Sequence, residues 1–168
     1  MNQRSTPTTK GPLRPNVCIL LFNQNSDLFL AERIDIPDHW QFPQGGVEDG
    51  HSEHTTVIKE LWEEAGIKRE LLGEFHRLTA SNSYLWSDVP EYAKGKWIGQ
   101  CQSFWVVEYL GSDNDIDLIA GCGENHVEFS RWCWCPIERI RELAAPIRLK
   151  GYEGALEEFL EYLRGRRK

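Results

Sequence analysis

The sequence predicts an α+β domain in which a mixed sheet is covered by helices. Three observations carry that expectation. Apolar segments of strand length recur along the chain with turn residues between them. One clear amphipathic helix interrupts them, and two helical patterns close the chain. At 168 residues the chain has the length of one domain with a sizeable core, and no repeat or low-complexity tract marks a second.

In chain order, residues 1–13 are polar, with Thr, Pro and Gly, and predict a flexible N-terminal segment ahead of a domain spanning 14–163. Asn16 to Phe22 (NVCILLF) is a continuous apolar run of the kind that forms a buried strand, Asn23 to Asp27 supply turn residues, and Leu28 to Ile34 form the partner strand of a hairpin. Trp40-Gln41-Phe42 is a short extended piece ended by Pro43, and Gly45-Gly46 permits backbone arrangements that a Cβ would hinder. Ser52 to Ala65 is the clearest helix: Ser52 is its N-cap, Glu53 lies in the first turn, Gly66 ends it, and Ile58, Leu61 and Ala65 form its buried stripe. Strands follow around 72–85, 100–110 and 127–135. The connections 86–99 and 111–126 are long enough to carry function. Pro136 to Ala144 and Tyr152 to Arg164 read as helices, the second amphipathic through Leu156, Phe159, Leu160 and Leu163, and residues 164–168 as a basic tail.

Seven Trp, seven Phe and five Tyr exclude a disordered chain, which would be poor in aromatics. No apolar run approaches the roughly 18 residues of a membrane span, and the N-terminus has no apolar signal-peptide core, so the cytoplasm is the expected compartment. A net charge of −7 argues against a DNA-binding protein and against extensive, sequence-blind contact with any nucleic acid. Five cysteines (18, 101, 122, 133, 135) at irregular spacing fit neither a zinc site nor, in a reducing compartment, disulfides. His39, His54, His76 and His126 show no ligand spacing. Nothing in the sequence sets an oligomeric state.

The charge is concentrated. Between residues 48 and 64 six acids (Glu48, Asp49, Glu53, Glu60, Glu63, Glu64) face one base, Lys59. Glu60, Glu63 and Glu64, at i, i+3 and i+4, present three carboxylates on one face of the predicted helix. Like charges at that spacing weaken a helix, and a solvated face would break them up with Lys. Hard oxygen donors converging on one point suit Mg2+ or Mn2+, with glycines before the helix letting main-chain oxygen approach.

Gly45-Gly46-Val47-Glu48-Asp49-Gly50-His51 followed by Lys59-Glu60-Leu61-Trp62-Glu63-Glu64-Ala65-Gly66-Ile67 resembles the Nudix box, G-x5-E-x7-R-E-U-x-E-E-x-G-U. Gly45, Glu60, Leu61, Glu63, Glu64, Gly66 and Ile67 match in register. Two positions depart: His51 stands for Glu and Lys59 for Arg, residues that in the family pair with one another and brace the helix. The resemblance implies a Nudix-type α/β/α sandwich with a mixed central sheet. Further segments resemble one branch, the RNA 5′-pyrophosphohydrolases and the related diadenosine polyphosphate hydrolases. These are Arg14-Pro15-Asn16-Val17, Trp40-Gln41-Phe42-Pro43-Gln44-Gly45-Gly46, Ile98-Gly99-Gln100 with Gln102, Glu128-Phe129, and Arg148 with Tyr152. Ser103 departs again, standing where the branch usually carries Lys, with Lys94, Lys96 and Arg77 as candidate replacements for the cation.

The resemblance implies that Mg2+, or Mn2+ in its place, is held by Gly45, Glu60, Glu63, Glu64 and Glu128, and that Glu63 or Glu60 is the general base. It points to Arg14, Arg33 and Arg148 for the phosphates, to Trp40 and Gln44 in the signature, and to Tyr84, Trp86 or Tyr152 for stacking on a base. The implied function is removal of phosphates from the 5′-triphosphate end of RNA by water attack on a phosphoanhydride, a step in mRNA decay. Hydrolysis of dinucleoside polyphosphates such as diadenosine tetraphosphate is the alternative. A non-catalytic nucleotide-binding module is a further one, which His51 and Lys59 favour and the retained glutamates oppose.

Overall fold

The computed structural model describes residues 11–123 and 126–166. Residues 1–10, most of the expected N-terminal segment, and 167–168, the end of the expected tail, lie outside the described residues. A seven-stranded sheet contains β1 (Leu13–Phe22), β2 (Leu28–Arg33), β3 (Trp40–Gln41), β4 (Gln44–Gly46), β5 (Leu72–Leu85), β6 (Gly99–Tyr109) and β7 (Phe129–Cys135). Its main order is β3-β2-β1-β6-β5. β1 and β6 run parallel from Leu13↔Gly99 to Phe22↔Glu108, and the other strand pairs are antiparallel, so the sheet is mixed. The second edge of β1 is shared: Phe22 pairs with Leu28 of β2 at one end, and residues 16–18 pair with β4 at the other.

The apolar run of β1 is continuous because both of its faces are covered. Val17, Ile19 and Leu21 pack with Val57, Leu61 and Ala65 of α1 (Glu53–Ala65). Cys18, Leu20 and Phe22 pack on the opposite side with Ile140 of α2 (Ile137–Leu143) and with Ala155, Leu156 and Phe159 of α3 (Pro146–Arg166). Two helical layers around a mixed sheet make an α/β/α sandwich. Among the described residues no helix is long and apolar enough to cross a membrane, and all five cysteines are free thiols.

α1 begins as its sequence directs: Ser52 caps it by accepting the Thr55 N–H at 3.0 Å. It ends at Gly66, whose φ of 63° is left-handed, and a Cβ there would stand 2.4 Å from the Asp117 carbonyl oxygen. The buried stripe is rotated from the expected one. Val57, Leu61, Glu64 and Ala65 face inward, and Ile58 is only partly buried. The consequence is chemical, since a carboxylate occupies a core position.

α3 starts at Pro146, one and a half turns before the expected Tyr152. Proline at a first helical position is pre-set for a helix, whereas Gly151 and Gly154 depress helix propensity. Gly151 is required by packing: a Cβ there would lie 2.3 Å from Asn82 Nδ2 on β5. The helix also continues through Arg166, which donates to Glu108 at 2.7 Å and to Tyr162 at 3.1 Å. Residues 164–166 of the expected tail are therefore helix.

Candidate active site

Three carboxylates, those of Glu60, Glu64 and Glu128, gather where α1 passes β4. Glu64 is buried on the inner face of α1; the Gln44 N–H donates to its Oε2 at 3.2 Å, while Oε1 is buried without a partner. Glu60 lies one turn earlier, against Gly45, where a Cβ would stand 2.0 Å from its carboxyl carbon. Only glycine permits that approach. Glu128, just ahead of β7, faces both. Burial first, then Glu63 and Glu128, push the Glu60 pKa up to about 7. Burial, then Glu128 and Glu60, raise Glu64 well above the carboxylate range. Glu63 stands outside this trio, 3.9 Å from Lys59 Nζ.

Such a cluster lacks internal compensation, and a buried charge without it is costly. An unpartnered buried oxygen, a glycine cradle and an all-oxygen donor set fit a hard divalent cation. Among the described residues no three His, Cys, Asp or Glu side chains yet enclose an ion.

The departures at His51 and Lys59 are compensated by Glu48, one of the six acids of the 48–64 segment. Lys59 Nζ contacts Glu48 Oε1 at 2.9 Å, and His51 Nδ1 lies 3.5 Å from Glu48 Oε2. Glu48 supplies the acid three residues earlier, so the loop remains tied to the helix.

Glu60 and Glu128 form one side of a cavity of about 510 Å3 whose other walls include Arg14, Arg33, Arg148, Tyr84, Trp86 and Tyr92. Arg14 donates to Gln100 Oε1 at 3.3 Å and stacks against Tyr92 at 4.9 Å. Arg33 makes a bidentate pair with Asp35 at 2.8 and 2.7 Å. Arg148 donates to the Tyr84 hydroxyl and to His39 Nε2, each at 3.4 Å. Burial, with Arg148 and Arg33 next in effect, lowers the pKa of His39 and keeps the imidazole an acceptor. A chain of amides underlies the cavity: Gln102 donates to Asn16 at 3.0 Å and to Gln44 at 2.7 Å, and Gln100 donates to Tyr84 at 2.6 Å. Polar residues at alternate positions of a strand otherwise buried are the sequence signal for this floor. A second groove of about 550 Å3 shares Arg33, Tyr84, Trp86 and Arg148 with the first and adds the apolar side chains Ile36 and Ile147.

The structure thus brings Gly45, Glu60, Glu128, Arg14, Arg33, Gln44, Tyr84 and Arg148 to one cavity, with Glu64 behind it and Glu63 beside it. Two expectations are corrected. Trp40 and Tyr152 are core residues, 8% and 1% exposed. Trp40 points to the side of α2 and α3, and Tyr152 packs on Phe42 at 4.6 Å while its hydroxyl accepts the Phe42 N–H. Tyr152 supports the Trp-Gln-Phe-Pro segment from behind, and Trp40 roots that segment in the core. Of the cations considered for Ser103, Arg77 is adjacent: it donates to Ser103 Oγ at 3.0 Å and pairs with Glu53 at 2.7 Å.

Fold and site together define a hydrolase of phosphoanhydride bonds, and comparison with known proteins gives the family. The NUDIX domain pattern matches residues 12–154, and the chain belongs to the Nudix family. It is similar to the RNA pyrophosphohydrolase of Pelagibacter ubique, 36% identical over 160 residues that cover 90% of this chain and 94% of that one. The RNA pyrophosphohydrolase of Azorhizobium caulinodans is 32% identical over 164 residues, covering 90% and 94%. The fold of this chain matches that of a C. elegans Ap4A hydrolase (TM-score 0.63, 22% identity, 89% of this chain and 98% of that one). It likewise matches the E. coli dihydroneopterin triphosphate pyrophosphohydrolase (TM-score 0.63, 16% identity, 89% and 97%).

Proposed function

We propose that this protein removes phosphates from the 5′-triphosphate end of RNA, in the cytoplasm, using Mg2+ with Mn2+ as a possible substitute. The observation that carries this reading is a carboxylate cluster, with Glu64 buried behind Glu60 and Glu128, at a cavity also lined by three arginines. The activity named for the relatives from Pelagibacter ubique and Azorhizobium caulinodans supports it. The five free thiols fit a reducing compartment.

Glu63, Glu64, Glu128 and Gly45 would hold the metal, joined by Glu60. A bound divalent ion would offset phosphate charge and lower the pKa of water. Glu60 is the favoured general base over Glu63, because it lines the cavity, half-buried against Gly45, whereas Glu63 stands beside Lys59 outside it. Its carboxylate oxygen would take the proton from the attacking water. Arg14, Arg33 and Arg148 would grip the phosphates by charge-assisted bonds. The second groove, apolar at Ile36 and Ile147, would take the first nucleoside. An enzyme that grips only a chain end needs no basic face, so the net charge of −7 is no obstacle.

A second reading is hydrolysis of a dinucleoside polyphosphate. Tyr92, packed edge to face on Trp86, favours it: it lines the first cavity and not the apolar groove, and so offers a second aromatic station. Cleavage of 5′-triphosphorylated RNA and of diadenosine tetraphosphate, compared at equal concentration with Mg2+, separates the two. Faster cleavage of RNA is expected, and a large excess of dinucleotide cleavage overturns the first reading. Glu64→Gln is expected to lose activity by about 100-fold. Equal phosphate release by wild type and Glu64→Gln would mean a non-catalytic module.

A further inference from the structure

Glu32 lies outside the carboxylate cluster, yet it is 6% exposed and carries a charge. Every contact of its carboxylate reaches a segment that borders the site. Arg131 of β7 donates to it, Ser130 Oγ approaches at 3.4 Å, and the Asp38 N–H donates at 2.6 Å. The β2–β7 ladder is irregular at this spot: Glu32 pairs with Arg131 but Arg33 pairs with Phe129, leaving Ser130 as the extra residue of a bulge. Bulges re-aim the side chains beside them. Immediately beyond this one, the Glu128 carbonyl accepts the Ile34 N–H at 2.9 Å, so the backbone carrying Glu128 is stitched to the residue after Arg33. On the other side, Asp38 sits at a left-handed φ of 63°, a strained conformation for a residue with a side chain. The bond to Glu32 holds it there. The same loop supplies Ile36 and His39 to the second groove.

We propose that Glu32 is a positioning residue: by clamping the Ser130 bulge through Arg131 it aims Glu128 at Glu60 and Glu64, and through the Asp38 amide it fixes the groove wall. The inference rests on the reading of Glu128 as a metal-holding carboxylate. Glu32 touches neither substrate nor metal, so its effect passes entirely through Glu128 and the 34–39 loop.

The test is Mn2+ binding to the full chain, titrated by electron paramagnetic resonance, alongside the Mg2+ dependence of RNA end hydrolysis. Glu32→Gln is expected to weaken Mn2+ binding about 10-fold, in the same sense as Glu128→Gln, as loss of an outer support does at metal sites. The double variant is expected to add little to Glu128→Gln alone. Arg131 is largely exposed, so Arg131→Met removes the clamp without opening the core. It is expected to reproduce the Mn2+ defect, with Arg131→Lys restoring most of the binding. Wild-type Mn2+ affinity in Glu32→Gln and Arg131→Met, with Glu128→Gln impaired, overturns the positioning role and leaves the metal reading intact. Wild-type affinity in Glu128→Gln overturns the metal reading of Glu128 and the inference with it.

Discussion

Glu60 and Glu64 hold protons that ordinary carboxylates would have released, and that couples folding to pH. The pKa of Glu60 rises from 4.5 to about 7 in the folded chain. Between those values the native state retains a proton that the unfolded state has lost, so stability falls as pH rises through that window. In chelator-treated protein the thermal midpoint is expected to drop between pH 5 and 7.5. Glu60→Gln should flatten the drop, and Mg2+ should reverse it at pH 7.5. The lowered pKa of His39 acts in the opposite sense over part of this range, so the decisive comparison is between proteins: a pH dependence in Glu60→Gln equal to that of the wild type contradicts the assignment. Arg33 shows a second residue-scale effect, because Asp35 occupies its guanidinium edge as a phosphate would. Asp35→Asn is expected to lower KM for triphosphorylated RNA about 2- to 5-fold with little change in kcat, the scale of a partly exposed ion pair. An unchanged or raised KM would mean that the pair orients Arg33 for substrate instead of competing with it.

At the scale of elements, α1 is the part that the sequence announces most fully. Its cap, its end and the spacing of its glutamates are local properties, and local properties survive being read one residue at a time. Its rotation is not local. Ile58 and Val57 are equally apolar, and only the sheet beneath decides that Val57 turns inward and takes Glu64 with it. Trp40 and Tyr152 illustrate the same limit, since a substrate-facing aromatic and a core aromatic are identical in sequence until the packing of β3 and α3 is known. Glu53 was legible only as a first-turn acid. In the fold it accepts from Arg77, Ser103 at 2.9 Å and Trp105 at 3.0 Å, anchoring the start of α1 to β5 and β6. Glu53→Ala is expected to cost roughly 1–3 kcal/mol in urea unfolding, with Ser52 still capping the helix. A loss below a few tenths of a kcal/mol would show that this anchor carries no weight.

For the whole molecule, the order of strands and helices was enough to anticipate a mixed sheet covered by helices, while the α/β/α sandwich came only with the Nudix resemblance; the fold supplies its reason, because a strand apolar at every position has to be covered twice. What that order did not contain was the branching of β1 between β2 and β4, which opens the sheet where the carboxylates collect. It also did not reveal the amides of Asn16, Gln100 and Gln102, which lie on two strands 84 and 86 residues apart in the chain.

The long parallel ladder between β1 and β6 has a kinetic meaning. Arg14 meets Gln100 only after the intervening chain has closed a loop of 86 residues, and non-local pairings of that kind form slowly. α1 and the β2 turn assemble from near neighbours, whereas the phosphate-gripping wall waits for the two ends of the domain to find each other. On dilution from denaturant, recovery of end-hydrolysis activity should therefore trail recovery of helical ellipticity. Synchronous return of the two signals would instead indicate that the ladder zips in the same cooperative step that forms the helices.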